Sequence, residues 1–249
     1  MEPVATTRIA TTPAASAPAW PRAAAAPLTQ SLPEQIAAQL SARIVAGTYA
    51  PGQRVLEQTI AGEFAVSRGP VREALRLLEK DGLVAILARR GAQVTKPSIA
   101  EVREIFDIRA VLNGVRDRGI AEDPERGRLL PALEAEVALL EKYARDTKHG
   151  NDYVDAVFRI NRMLTAATRN HRLQSMLDSL ALQTLRYSRL GLATPERRRQ
   201  SVEHWQKLVR AIRSGDGEAA QQIAEQRVRD SRDGAIRALE KQGAEKPLG

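Results

Sequence analysis

Residues 67–84 read SRGPVREALRLLEKDGLV. Val71, Ala74, Leu75 and Leu78 recur at i, i+3, i+4 and i+7, which lays one apolar stripe along an α-helix. Ser67 is a residue type that caps helix N-termini. Pro70 falls in the first turn, where its missing N–H breaks no ladder bond. Asp81-Gly82 closes the helix. Arg68, Arg72 and Arg76 recur every four residues on another face, so their guanidinium groups project together. An ordinary solvated helix can also carry three spaced arginines; the flanking sequence gives these a context.

Upstream, Ile36, Leu40 and Ile44 mark a helix over Leu32–Ala46 that stops at Gly47. Pro51-Gly52 marks a turn, and Leu56, Ile60 and Phe64 share one face of a short second helix. Downstream, the β-prone runs Leu83–Leu87 and Ala92–Thr95 flank Arg89-Arg90-Gly91 as a hairpin. Three helices followed by a hairpin is the element order of a winged helix-turn-helix, expected over residues 31–96. In a helix-turn-helix the second helix enters the major groove with its N-terminal residues at base edges. Arg68 and Arg72 are so placed, and a guanidinium can bond guanine O6 and N7 together, worth roughly 1–3 kcal/mol of discrimination. Gly69 permits close backbone approach, while Ser67 and the first helical N–H groups suit a phosphate. Arg76 suits a phosphate contact or a surface pair with Glu73 or Glu79.

Prolines 3, 13, 18, 21 and 27 interrupt an Ala- and Thr-rich start, which predicts a disordered leader over residues 1–30. Beyond Pro97 the pattern is helical throughout. Ser98-Ile99-Ala100-Glu101 is a capping box opening a helix expected to bury Val102, Ile105, Leu112 and Val115. Further helices are expected over Arg128–Lys142, Tyr153–Ala167, Leu173–Leu190, from Thr194-Pro195 to Gly215, and from about Asp216 to Leu239. Residues 97–240 therefore read as an all-α antiparallel bundle, with a frayed tail over 241–249.

The 249 residues are 43% hydrophobic, ample for two cores. With no cysteine, disulfide scaffolds, thiolate metal sites and cysteine nucleophiles are excluded. No apolar run approaches the ~20 residues of a membrane helix, and no secretory h-region opens the chain. A cytoplasmic protein without membrane association is expected. The net charge of +8 is spread along the chain, +1 in residues 1–30, +3 in 31–98 and +4 in 99–249, so it forms no polybasic tail.

Residues 32–94 resemble the winged-helix domain of GntR-type bacterial transcription regulators. The resemblance runs through G-x-x-x-P-G (Gly47, Pro51, Gly52), Glu57 opening the second helix, VSR-x-PVREAL-x-x-LE-x-x-GLV (Val66–Val84) and Gly91 at the hairpin tip. Ala65 stands where that family usually carries glycine, and Gly69 where threonine is common. The resemblance implies DNA contacts at Gln58, Thr59, Ser67, Arg68, Gly69 and Arg72, and at the wing tip Arg89, Arg90 and Gly91, in or beside the minor groove.

The helical half is similar to the FCD effector domain of the FadR-like branch, in IFDIRAVLNGV (105–115), NHRLQSML (170–177), LRYSRL (185–190) and RRQSVEHWQKLVRAIRSGDGEAA (198–220). Many members of that branch hold a divalent metal between one Asp and three His. Here one register puts Val157 and Asn161 at the first two positions, and a rival register puts Asp155 and Arg159 there. Trp205 takes the next position, with His204 one residue off, and Arg227 the last. No metal and no other cofactor is expected. Arg227, with Arg159, Arg109 or Arg186, would supply positive charge directly to an anionic ligand. Asn161 would be a polar anchor and Trp205 an aromatic wall.

The resulting expectation is a homodimeric, ligand-responsive regulator that binds a palindromic operator in double-stranded DNA. A small carboxylate effector would release it as a repressor. Two other classes fit the sequence less well. An all-helical enzyme with a DNA-binding-like appendage is disfavoured because the bundle shows no nucleophile motif, phosphate loop or paired carboxylates. A sequence-independent architectural binder is disfavoured by the mixed charge of both halves.

Overall fold

The computed structural model describes residues 30–87, 91–145 and 147–244. The expected leader and the wing-tip Arg89 and Arg90 lie outside the described residues. Apolar spacing builds the first three helices where expected: α1 (Leu32–Ala46), α2 (Glu57–Glu63) and α3 (Arg68–Lys80). Ile36, Leu40, Ile60, Val71, Leu75 and Leu78 meet in one core beneath the sheet residues Val55, Val84, Ala92 and Val94. The hairpin forms as β2 (Val84–Leu87) and β3 (Gly91–Val94), and a third strand, β1 (Arg54–Val55), pairs with β3. All pairing is antiparallel in the order β1-β3-β2, with Val55 opposite Ala92 and Leu87 opposite Gly91. At two residues, β1 is too short for any alternation pattern to announce it. A side chain at Gly91 would put its Cβ 2.7 Å from the Val55 carbonyl, and φ there is +79°, so the wing needs glycine at this point.

Six helices follow: α4 (Ile99–Glu122), α5 (Leu130–Ala144), α6 (Gly150–Ala167), α7 (His171–Gly191), α8 (Pro195–Ser214) and α9 (Gly217–Ala244). Ser98 and Glu101 form the expected reciprocal cap on α4. Thr194 caps α8, and Gly215 closes it at φ +77°. A 3-10 turn over Pro124–Arg128 precedes α5, which begins two residues later than the sequence suggested. α9 continues to Ala244, into the expected tail.

The inward face of α4 includes Val102, as expected, and differs beyond it. Ile105 and Leu112 are only half-buried and Val115 is 48% exposed, alongside Ile108 at 56% and Val111 at 51%. Phe106, Arg109, Ala110, Asn113, Arg116 and Asp117 face inward instead. The helix carries two candidate stripes, and α9 packs on the more polar one. The bundle has a large core built on Leu133, Leu140, Ile160, Leu164, Trp205 and Ile212. A smaller core joins α4, α7 and α9 through Phe106, Tyr187, Val228 and Ile236.

α7 makes two close contacts along its length. Its C-terminal end almost touches the backbone of α9: a Cβ on Gly234 would sit 2.8 Å from the Gly191 carbonyl, and one on Gly191 would collide with the Ser231 carbonyl. Its middle reaches the winged helix. Leu182 packs against that domain's core, Gln183 lies over Gly82, and Arg186 Nη2 donates to the Thr95 carbonyl at 2.6 Å.

Candidate DNA-reading face and effector cavity

α3 is the second helix of the helix-turn-helix, and its outward face is the arginine stripe. Ser67 precedes it in extended conformation with no side-chain capping bond, and Ser67, Arg68, Gly69 and Arg72 are all exposed, as are Gln58 and Thr59 on α2. The arginines are not splayed at random. Arg68 Nη2 donates to Gln58 Oε1 at 3.0 Å. Arg72 grips Glu57 with both edges of its fork, Nε to Oε1 at 3.0 Å and Nη2 to Oε2 at 2.9 Å. That grip holds the Glu57 carboxyl below its ordinary pKa. Arg76 pairs with Glu73 at 2.6 Å, while Glu79 accepts the Ile86 N–H at 2.8 Å and ties α3 to the hairpin. A groove lined by Gln58, Arg68, Arg72, Ile86 and Gly91 separates the helices from the wing. Gly91 is therefore beside the reading face; Arg89 and Arg90 are not described. The clamp role of Glu57 was not read from the sequence, where it served only to open α2.

The turn between α2 and α3 contains Ala65 at φ +52°, the one non-glycine residue in the left-handed region among the described residues. The departure from glycine noted in the sequence thus falls on a position whose geometry favours glycine.

In the bundle, α4, α6, α7, α8 and α9 enclose a cavity lined by Arg109, Asn161, Ser188, Ser201, His204 and Arg227, among others. Its free volume is about 20 Å³, room for roughly one water. Arg109 is 6% exposed and donates from Nη1 to Ser188 Oγ at 3.2 Å. Burial pushes its pKa down to about 10. Arg227, 7% exposed, stacks 3.8 Å above the Trp205 ring, and burial pushes it down to about 9. Its Nη2 stands 3.9 Å from Asp117 Oδ2, but Asp117 is already held by Arg116 Nε at 2.6 Å. Arg116 also donates to Thr165 Oγ1 at 3.2 Å. Arg227 Nε, Asn161 Oδ1 and Trp205 Nε1 are buried with no hydrogen-bond partner among the described residues. His204 Nε2 lies 3.5 Å from Asp230 Oδ2, and burial lowers its pKa.

Of the five residues expected at the ligand, Arg109, Asn161 and Arg227 come together at this cavity. Trp205 is fully buried beneath Arg227 as its aromatic support. Arg186 points away, to Thr95 and the Tyr187 hydroxyl. Two residues along a helix is about 200° of rotation, so Arg186 cannot share the cavity with Ser188. The Val157–Asn161 register reaches the cavity. In the rival register Asp155 pairs outside with Arg189 and Arg159 with Glu136, each at 2.9 Å. Sequence reasoning missed Ser188, Ser201 and His204 as lining residues, although all three lie inside the quoted family-like stretches.

These residues do not fit a metal. Val157 offers no donor atom, Arg227 brings a cation where a ligand would stand, and no three His, Asp or Glu side chains converge among the described residues.

Comparison with known proteins places this geometry. Residues 32–94 match the family model for bacterial regulatory proteins of the gntR family, and residues 104–230 match the FCD domain. The chain belongs to the GntR family. Among this GntR chain's relatives, the transcriptional regulator YdhC of Bacillus subtilis is 30% identical over 193 residues, 74% of this chain and 82% of YdhC. The gluconate operon transcriptional repressor of Bacillus subtilis is 42% identical over 78 residues, 31% of this chain and 32% of that one. Among solved structures, McbR/YncC of E. coli shares the fold at TM-score 0.68 and 20% identity, covering 86% of this chain and all of that one. The GntR and FCD matches and the relatives' names are those of transcriptional regulators. No helix among the described residues is long and apolar enough to cross a membrane.

Proposed function

We propose that this GntR-family regulator is a homodimeric, cytoplasmic repressor that reads a palindromic operator and is released by a small organic acid without a metal. The observation that carries the DNA half of this reading is the exposed, oriented Arg68–Arg72 pair on the first two turns of α3. Arg72 exchanges the Glu57 carboxylate for the acceptor edge of a guanine, and Arg68 does the same from Gln58. Ser67, Gln58, Thr59 and Gly69 border the phosphates, and Arg89, Arg90 and Gly91 of the wing reach the minor groove. The repressor direction is supported by the name of the gluconate operon relative.

The dimer is supported by Ile108, Val111 and Val115, an exposed apolar stripe at helical spacing on α4 that water alone would leave costly. The effector reading is supported by Arg109 and Arg227 at the cavity. The division into residues 31–96 and 97–240 is supported by the two matched spans. α7 joins the parts, since Ser188 contacts Arg109 while Arg186 holds Thr95.

Fluorescence anisotropy on the DNA upstream of the chain's own coding region tests the reading. Arg72→Ala in both subunits should weaken specific binding by about 30-fold at the least and about 26,000-fold at the most, each of the two lost bidentate contacts being worth roughly 1–3 kcal/mol. Circular dichroism should stay native. Undiminished specific binding by the folded variant rejects this assignment of α3.

A further inference from the structure

We infer that the effector carries two negative charges: the cavity is built for a compact dianion bridging Arg109 and Arg227. The inference rests on the organic-acid reading above and adds its charge and size. Among the described residues, the charged side chains that are buried are Arg109, Arg116, Asp117, Arg198 and Arg227. Arg198 reaches away from the cavity, to the Ala193 carbonyl at 3.2 Å. Three cations therefore share one carboxylate, and that carboxylate is spent on Arg116. Arg109 has no ion-pair partner among the described residues; its contacts are the neutral Ser188 hydroxyl and the Phe106 ring. Arg227 reaches Asp117 only at 3.9 Å and leaves Nε without a hydrogen-bond partner there. At the cavity rim Asp230 stands 3.5 Å from His204 and within electrostatic reach of Arg197.

Buried charge is stable only when paired and hydrogen-bonded. Two surplus guanidinium groups lining one cavity are satisfied by one ligand with two anionic groups, or by one doubly charged group. A guanidinium fork also takes carboxylate or phosphate oxygens two at a time. With room for about one water, the cavity has to widen by side-chain movement to take even a compact ligand. The chemistry is shared by short dicarboxylates and by phosphate.

Calorimetric titration of the full chain with malonate, inorganic phosphate and acetate in an otherwise anion-poor buffer tests the inference. Malonate, phosphate or both should bind at least tenfold more tightly than acetate, and which of the two wins identifies the source. Arg109→Gln should shrink that preference to threefold or less, whereas Arg72→Ala, on the DNA face, should leave it unchanged. A second readout is local. Anion binding should change Trp205 emission in a Trp20→Phe background, because it draws on the guanidinium stacked on that ring. If Arg109→Gln does not fold, the wild-type ranking and the Trp205 signal decide alone. Equal affinity for acetate and the dianions overturns the charge assignment while leaving the organic-acid reading intact. No binding by any of the three overturns both.

Discussion

Arg109→Met is expected to make the ligand-free protein more stable, although it removes a buried hydrogen bond. Arg109 is buried against Phe106 and Ser188 with no carboxylate partner among the described residues. Burial lowers its pKa to about 10, which corresponds to a cost of about 3 kcal/mol for keeping it charged at neutral pH. Methionine has a similar length and retains the aliphatic packing on Phe106. The lost bond to Ser188 costs about 1 kcal/mol. A net gain of about 2 kcal/mol remains, or roughly 4–8 °C in Tm for a chain of this size. Differential scanning calorimetry in a buffer free of phosphate and carboxylates reads the difference directly. The sign with pH is also fixed. Above about 10 the folded chain loses the proton while the unfolded chain, with its ordinary higher arginine pKa, still holds it, so wild-type stability recovers there and the gap to the variant narrows. A methionine variant that melts at or below the wild-type temperature would refute the argument that this charge is uncompensated.

Three other perturbations follow from the same geometry. Ala65→Gly relieves a left-handed backbone strain of about 1–2 kcal/mol, partly offset by greater freedom in the unfolded chain, so the urea midpoint should rise by the equivalent of about 0.5–1 kcal/mol. The His204 pKa lies below 6.5 in the folded protein, so the unfolded chain takes up its proton first and stability falls as pH drops from 6.5 through the folded value. His204→Gln should lose less stability between pH 7 and 5.5 than the wild type in parallel urea titrations. Val111→Glu places a charge in the exposed stripe of α4 and should yield monomers in sedimentation velocity at micromolar concentration; an unchanged sedimentation coefficient argues for a different dimer face.

Most of the winged helix was legible because each local signal agreed with its neighbours. Ser67, Pro70 and the Val71–Leu78 stripe all specify the same helix, and Asp81-Gly82 ends it where the structure does. The bundle was legible as helices but less so as faces. On α4 the apolar reading chose Ile105, Leu112 and Val115, while the buried side carries Arg109, Asn113, Arg116 and Asp117. Periodicity cannot separate a core stripe from one left for another surface, and it treats buried arginines as solvent-facing. The cavity was partly legible for the same reason. Arg109, Asn161 and Arg227 came from matched positions, but Arg186 was two residues and half a helical circumference from Ser188. The Glu57–Arg72 clamp joins residues 15 apart on different helices, a distance over which no local pattern operates.

The near-contact of Gly191 and Gly234 turns α7 into a lever with its fulcrum at one end. At 1.5 Å per residue, Ser188 lies about 4.5 Å from that fulcrum and Gln183 about 12 Å. A tilt that shifts Ser188 by 1 Å as the cavity opens therefore sweeps Gln183 through nearly 3 Å, against the winged helix at Gly82. The spacing of these residues along one rod would enlarge a small displacement in the bundle before it reaches the winged helix.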